Sequence, residues 1–333
     1  MHDMTSRCVL ILPYFGRFNN YFPLFLRSCG ANLSVDFLVF TDDTTPYEYP
    51  GNVKVAYMTF NEFKARAVRK LGFEPCLPSP YKLCDFKPAY GLLFEDYLDG
   101  YDYWGHCDCD LIFGDLDRLL IPILDQGYDK VFAAGHLTLY RNTPENNRRF
   151  MKPLHGREIY REAFTTPSIY VFDENVACRM NPDRLNVHTI FREEGARMFE
   201  EDLSFNVSPK KGTITRTRYT PSSQRFEAVP KYPFPTRFFW SQQGLVSVGR
   251  RENGTAGITG EFLYMHLQSR KMRMPVTAVQ APVVEIRPDC FSPAKRLPQT
   301  LLELRPWDLG LGNRYWLNTY TKKLKAKLHR ARL

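Results

Sequence analysis

Two carboxylates one residue apart, Asp108 and Asp110, stand where one aromatic, apolar run ends and another begins, in Tyr103-Trp104-Gly105-His106-Cys107-Asp108-Cys109-Asp110-Leu111-Ile112-Phe113-Gly114-Asp115. In extended backbone, residues i and i+2 face the same side. Both acids can therefore aim at one point, an arrangement that repels itself unless a cation sits there. Two hard oxygen ligands that leave room for waters suit Mn²⁺ or Mg²⁺ shared with a substrate diphosphate. Carboxylates at the end of an apolar strand are costly unless paired, which sets this pair apart from the many Asp-x-Asp triplets that are loop or cap acids. The other metal reading takes His106, Cys107 and Cys109 as zinc ligands, but no second closely spaced ligand pair accompanies them. The cysteines read instead as small buried hydrophobes.

A metal–diphosphate centre needs further ligands and cations. The aromatic run Glu261 to Gln268 carries His266 near its end, followed by Arg270 and Lys271. An imidazole there suits the metal, and Arg270 or Lys271 suits phosphate oxygens. His136 lies within the small-residue strand Lys130 to Tyr140 and reads either as a satisfied core or rim histidine or as a catalytic, nucleotide-sugar-facing group. Lys82, Asp85 and Lys87 crowd a segment that abuts the core; they are either a solvated face or groups reaching the diphosphate and ribose. Asp173 and Glu174 follow Ile169-Tyr170-Val171-Phe172, a predicted strand. Adjacent acids diverge on a strand, so at most one of them is expected to face the site.

The elements that must position these groups are legible as hydrophobic runs. Arg7 to Leu12 is a two-sided strand that breaks at Pro13-Tyr14-Phe15-Gly16. Tyr21 to Leu26 fits a helix, with Pro23 in its first turn and Gly30 near its end. Asp36 to Phe40 is a second buried strand, halted by Thr41-Asp42-Asp43. Strand, helix, strand opens a doubly wound parallel sheet, in which ligands gather beyond the carboxyl ends of strands. Tyr14, Phe15, Thr41, Asp42 and Asp43 all fall at those ends. No Gly-x-Gly-x-x-Gly follows the first strand, which removes the main support for a nicotinamide site. Val53 to Met58 is a third strand. A helix with Asn61 as cap and Gly72 as stop follows, then a proline-broken loop and a helix from Leu92 to Leu98. Lys130 to Tyr140 reads as one strand and Glu145 to Arg161 as a polar helix. From Cys178 to Pro235 the pattern is irregular, with a helix around Val187 to Met198. Phe238 to Ser241 and Gly244 to Val248 are further strands. The chemistry predicted for this frame is metal-dependent transfer from a nucleotide-sugar.

The chain of 333 residues, 44% apolar and 24% charged, has room for one large α/β domain with additions or for two smaller ones. Its 25 Phe and 19 Tyr serve either packing or stacking on rings. The eight cysteines show no framework; with no secretory signal, they are expected to be reduced thiols in a cytoplasmic protein. No apolar run approaches the ~20 residues of a membrane span. The net charge of +9 is concentrated in Lys322, Lys323, Lys325, Lys327, Arg330 and Arg332. A body without a broad basic face is not expected to bind nucleic acid. Residues 317–333 carry Leu317, Tyr320, Leu324 and Leu328 at helical spacing among these cations. They form either a solvated tail or a basic amphipathic helix for an anionic membrane surface.

Seven segments in this order, Leu-Pro-Tyr-Phe-Gly (12–16), Phe-Thr-Asp-Asp (40–43), Lys-Leu-Cys-Asp-Phe-Lys-Pro-Ala-Tyr-Gly (82–91), Trp-Gly-His-Cys-Asp-Cys-Asp (104–110), Gly-His-Leu-Thr-Leu-Tyr-Arg-Asn (135–142), Phe-Asp-Glu (172–174) and Tyr-Met-His-Leu-Gln-Ser-Arg-Lys (264–271), resemble a family of bacterial polysaccharide-biosynthesis glycosyltransferases, the capsule and lipopolysaccharide enzymes. The resemblance spans about residues 7 to 275. It implies a GT-A-type Rossmann-like mixed sheet flanked by helices over 1–275, with a nucleotide-sugar half to about 140 and an acceptor half beyond. Residues 276–333 would be an extension ending in the basic helical tail. It also implies a UDP-sugar donor held through Mn²⁺ (or Mg²⁺) by Asp108, Asp110 and His266, and a lipid-linked or oligosaccharide acceptor at the inner face of the plasma membrane. Tyr14, Phe15 and Thr41 to Asp43 would border uracil and ribose. Pro88 stands where such families carry an arginine, which passes that cation's role to Lys87. Asp173, or else Glu174, would be the acceptor-side base if the enzyme inverts. Two rival functions share the same residues: nucleotidyl or phosphoryl transfer at the same metal, and non-catalytic sugar binding.

Overall fold

The computed structural model describes residues 6–208, 213–230, 232, 235–268, 270–304, 321 and 324. The amino-terminal part runs β1 (Cys8–Tyr14), α1 (Phe22–Gly30), β2 (Val35–Thr41), β3 (Val53–Tyr57), α2 (Phe60–Leu71), β4 (Tyr103–Cys107), β5 (Leu111–Phe113), β6 (Lys130–Val131), β7 (Leu137–Arg141) and β8 (Met198–Phe199). The remainder contributes β9 (Ser204–Val207), β10 (Arg216–Thr220), β11 (Arg225–Ala228), β12 (Arg237–Ser241), β13 (Gly244–Arg250), β14 (Ala256–Phe262), β15 (Tyr264–His266), β16 (Val283–Ile286) and β17 (Phe291–Ala294).

Three sheets result, in the orders β3-β2-β1-β4-β7-β6-β8, β11-β10-β9-β15-β5 and β14-β13-β12-β16-β17. In the first, β1 pairs in parallel with both β2 and β4, while β4 meets β7 antiparallel. The fold is thus α/β with a large mixed sheet flanked by helices, as expected. β1 is central and buried on both faces, which is why it reads as an unbroken apolar run. Phe22, Phe25 and Leu26 of α1 cover one face. Phe63 and Ala67 of α2, with Phe86, Phe94 and Trp104, fill the other. The third sheet joins β12 to β16 across position 275.

Several local readings change. Thr59, rather than Asn61, caps α2: its hydroxyl accepts from Glu62 N while the Glu62 carboxylate takes Thr59 N, a reciprocal box. Gly72 ends that helix in the left-handed region at φ +76°, as read. The segment 130–140 is two strands around a bend, and 145–161 holds two short helices, Pro144–Arg149 and the start of Ile159–Thr165. Ile169 to Phe172 is not a strand. The irregular stretch 178–235 contains β9, β10 and β11; β10 pairs with its chain neighbours β9 and β11, while β9 pairs in parallel with the distant β15. No helix among the described residues is long and apolar enough to cross a membrane. The basic tail lies outside the described residues, apart from residues 321 and 324.

Candidate active site

The crossover between the first two sheets is Asp108-Cys109-Asp110 itself, since β4 lies in the first and β5 in the second. This stretch is a turn rather than extended backbone, so the acids converge through the turn and not through strand alternation. Asp108 N donates to His136 O at 3.1 Å, and Asp110 O accepts Leu267 N at 3.1 Å. β15 runs between β5 and β9, pairing His266 with Leu111 on one side and with Asn206 on the other. That register brings a residue 156 positions downstream of Asp110 onto the acids. His266 Nε2 lies 3.4 Å from Asp110 Oδ1 and 3.9 Å from Asp108 Oδ2. One ligand atom from each of Asp108, Asp110 and His266 falls within 4.8 Å of the others, the one such His/Cys/Asp/Glu cluster among the described residues.

The donor set fits a divalent ion. Asn206 Oδ1 accepts from Gln268 Nε2 at 2.7 Å and faces His266 Nδ1 at 3.0 Å. An acceptor there requires Nδ1 to carry the proton, which leaves Nε2 as the atom turned to the carboxylates, the tautomer a metal ligand needs. Burial pulls the imidazole pKa down, but Asp110 and Asp108 outweigh it and hold it above its ordinary value. The zinc alternative fails on placement. His106 is fully buried beside Tyr90 and Tyr140, while Cys107 and Cys109 pack in the core under α1.

A cavity of about 1060 Å³ opens over this centre and is lined by Tyr14, Phe15, Lys87, Asp108, Asp110, His136, Asp173, Glu174, His266, Arg270 and Lys271 among others. Lys87 bridges the carboxylates: its Nζ lies 2.7 Å from Asp108 Oδ1, 3.4 Å from Asp173 Oδ2 and 2.8 Å from Gly135 O. Gly135 is required for this approach, because a Cβ there would sit 2.5 Å from Asp173 Oδ2. Burial pushes the Asp173 carboxyl up to about 7 against the downward pull of Lys87. It also raises Glu174. Burial disfavours the Lys87 ammonium, yet Asp108 and Asp173 hold its pKa well above the ordinary value. His136 bonds Tyr264 OH through Nδ1 at 2.8 Å and lies with its ring 4.3 Å from that of His266. Its Nε2 is buried without a hydrogen-bond partner among the described residues. Burial, then the neighbouring His266 and Lys87, keep this ring neutral.

Five expected site residues stand behind the cavity rather than in its lining. Asp42 accepts Gly16 N at 2.6 Å, and Asp43 accepts Phe18 N at 3.1 Å and the Thr45 hydroxyl. With the buried Thr41 they shape the β1–α1 loop that presents Tyr14 and Phe15. Lys82 and Asp85 form a fully buried ion pair at 2.7 Å. Neither a solvated face nor a diphosphate contact describes them. Arg270 lines the cavity, but its guanidinium donates to Pro288 O and Ser208 O, both at 3.0 Å. Lys271 and Arg17 are the exposed cations of the lining, and the sequence reading did not single out Arg17. Asp173 and Glu174 both face the cavity, since alternation does not govern a non-strand segment. Asn206 was also missed; its signal is long-range pairing with β15.

A profile of the family of unknown function DUF6625 matches residues 10–295, and the chain belongs to that family. No curated protein matches it. Superposition on the apo crystal structure of mouse xyloside xylosyltransferase 1 covers 61% of this chain and 88% of that one, at 8% identity and a TM-score of 0.35.

Proposed function

We propose that this family member is a metal-dependent glycosyltransferase of GT-A-like plan, moving a sugar from a UDP-sugar to a hydroxyl of a glycan acceptor. One observation carries the reading: Asp108, Asp110 and His266 converge within 4.8 Å at a cavity of about 1060 Å³ that also holds the Lys87–Asp173 pair. That volume accommodates a nucleotide-sugar together with part of an acceptor, small-ligand pockets being ~300–1000 Å³. A bound Mn²⁺ or Mg²⁺ would neutralise charge building on the departing diphosphate. Arg17 and Lys271 add exposed cations at the rim, and Tyr14 offers a half-buried ring to the base. Asp173 takes the proton of the acceptor hydroxyl, its raised pKa matching work near neutral pH; Glu174 stands next to it. Lys87 keeps Asp173 oriented and keeps the metal carboxylates apart from it in charge. The acceptor is a lipid-linked or oligosaccharide intermediate of a bacterial cell-surface glycan, met on the cytoplasmic side of the membrane.

The test is a thermal-shift panel of nucleotides and nucleotide-sugars with and without Mn²⁺. A ligand at 100 times its Kd stabilises by about 2.7 kcal/mol. With unfolding entropy of ~2.1 cal/mol/K per residue over 333 residues, that is a rise of about 4 °C. Asp110→Asn is expected to abolish the Mn²⁺-linked rise and leave the metal-free melting point nearly unchanged. No Mn²⁺-linked response to any UDP species sinks the reading. A response to nucleoside triphosphates alone replaces it with nucleotidyl or phosphoryl transfer.

A further inference from the structure

The cavity has two walls, built differently. Tyr14 to Tyr21, with Gln268 and residues 270–272, make the first, tied together where Asn20 Nδ2 donates to Met272 O at 2.8 Å and Asn19 Nδ2 donates to Cys109 O at 3.1 Å. Pro80 to Cys84 and residues 169–173 make the second. The buried Lys82–Asp85 pair is the rivet of this second wall. Lys82 Nζ donates to Ala163 O at 2.7 Å and Ser168 O at 2.6 Å. The two Asp85 oxygens accept Tyr170 N and Phe172 N, each at 2.9 Å. One carboxylate thus does for residues 170–172 what a neighbouring strand would otherwise do. Between those two N–H groups Val171 is held at φ +61°, a left-handed conformation that is a genuine outlier for a β-branched residue. Strain of this kind persists only where surrounding bonds over-determine it, and here they present Val171 and Asp173 to the cavity.

On the same wall as this strained segment stands Tyr81. It is 78% exposed, the most exposed aromatic among the described residues, and it sits between Pro80 and the anchored Lys82. A large ring left in water on so rigid a base, in a cavity lining that also holds Leu83, Ile169, Val171 and the Asp173 carboxylate, has the make-up of a recognition surface. A flat amphipathic ligand fits: an apolar face for the ring and hydroxyls for the acid.

We infer that Tyr81, Val171 and Asp173 form a subsite for a pyranose ring of the acceptor, held in shape by the Lys82–Asp85 pair. The inference rests on the transferase reading for the word acceptor, but the sugar subsite itself does not. In it the ring's C–H face stacks on Tyr81, Val171 supports its edge, and one hydroxyl donates to Asp173.

Saturation-transfer-difference NMR on the full chain tests this, with and without Mn²⁺ and UDP, using a panel of methyl hexopyranosides and free trisaccharides. At least one glycoside is expected to bind in the millimolar range. Tyr81→Ala should bind it about ten-fold more weakly or worse, and Tyr81→Trp within about three-fold of the parent. Tyr81→Ala should also leave the Mn²⁺-linked stabilisation by UDP within about 1 °C of the parent. Loss of the UDP response in that variant would put the ring on the nucleotide side and overturn the assignment. Binding of no glycoside, or binding indifferent to Tyr81→Ala, overturns it equally. A parent chain that ignores UDP yet binds a glycoside through Tyr81 defeats the transferase reading and leaves the subsite standing.

Discussion

Replacing Lys87 by methionine keeps the volume of the side chain and removes the charge that two carboxylates share. The Lys87 side chain is 12% exposed, that of Asp173 7% and that of Asp108 32%. Removing one partner of a buried ion pair costs ~3–5 kcal/mol, because the other charge stays behind. Asp108 is open enough for water to replace much of what it loses, so the cost centres on Asp173. That group has a second recourse. Its carboxyl already stands at about 7, and without Lys87 it rises further, so protonation relieves the variant as pH falls. Lys87→Met is therefore expected to lose about 3 kcal/mol at pH 8.5. At an unfolding entropy of ~2.1 cal/mol/K per residue over 333 residues, that is about 4 °C. The gap should narrow at pH 5.5, because the neutral acid no longer needs its partner. Differential scanning fluorimetry in metal-free, EDTA-containing buffer reads both values. Adding Asp173→Asn to the Lys87→Met background should recover part of the loss at pH 8.5, as a coupled pair requires. Equal melting-point losses at the two pH values, or no recovery in the double variant, would refute the picture of Lys87 as the counter-charge of Asp173.

Three further outcomes follow from single contacts. Asn206→Ala frees the Nδ1 side of His266 and is expected to weaken Mn²⁺ binding ~10–100-fold in calorimetric titration, whereas an unchanged affinity would remove Asn206 from the metal site. Lys130 is buried with its Nζ on Phe132 O and 3.2 Å from His188 Nδ1, and burial pulls its pKa down to about 7 against the lift from Glu200. For a depressed base, stability is fully present above the unfolded pKa of ~10.4 and is lost as pH falls through the folded value; Lys130→Met should thus melt below the parent at pH 10 and gain on it by pH 7, and a pH-independent difference would disprove the assignment. Val171→Gly removes a left-handed penalty of ~1–2 kcal/mol against an entropy cost of ~0.5–1 kcal/mol, so it should melt within about 2 °C of the parent, and a much larger fall would mean that position 171 stores no strain.

The legible parts of this molecule are those set by local pattern. β1, α1, β2 and β3 are apolar runs punctuated by Pro23, Gly30 and the Thr41-Asp42-Asp43 stop, and each stands where its run places it. Asp108 and Asp110 were legible because acids at the junction of two apolar strands demand a partner. His266 was legible as a histidine near the end of an aromatic strand, although only the β5–β15 pairing carries it to the acids. What stayed hidden depended on contacts made across the chain. Asn206 acts through β9, a strand four residues long in which only Phe205 and Val207 are apolar. Arg17 looks like any exposed loop arginine until the β1–α1 turn places it on the cavity rim.

Lys82 and Asp85 show why charge pattern misleads in the opposite direction. Two charges three residues apart, in a segment with a third, describe a solvated face by every local rule, and yet both side chains are buried. Their partners are the backbone groups of residues 163, 168, 170 and 172, about 80 positions further on. A buried ion pair is weak evidence of stability by itself, since desolvation offsets most of its attraction. Its use here is geometric: it satisfies N–H and C=O groups that no strand reaches, which lets an irregular segment be buried at all. The same bonds defeat the expectation that Asp173 and Glu174 diverge, because alternation holds only where a strand ladder enforces it. A carboxylate that replaces the ladder leaves the backbone free to turn at Val171, and that turn gives both acids the cavity.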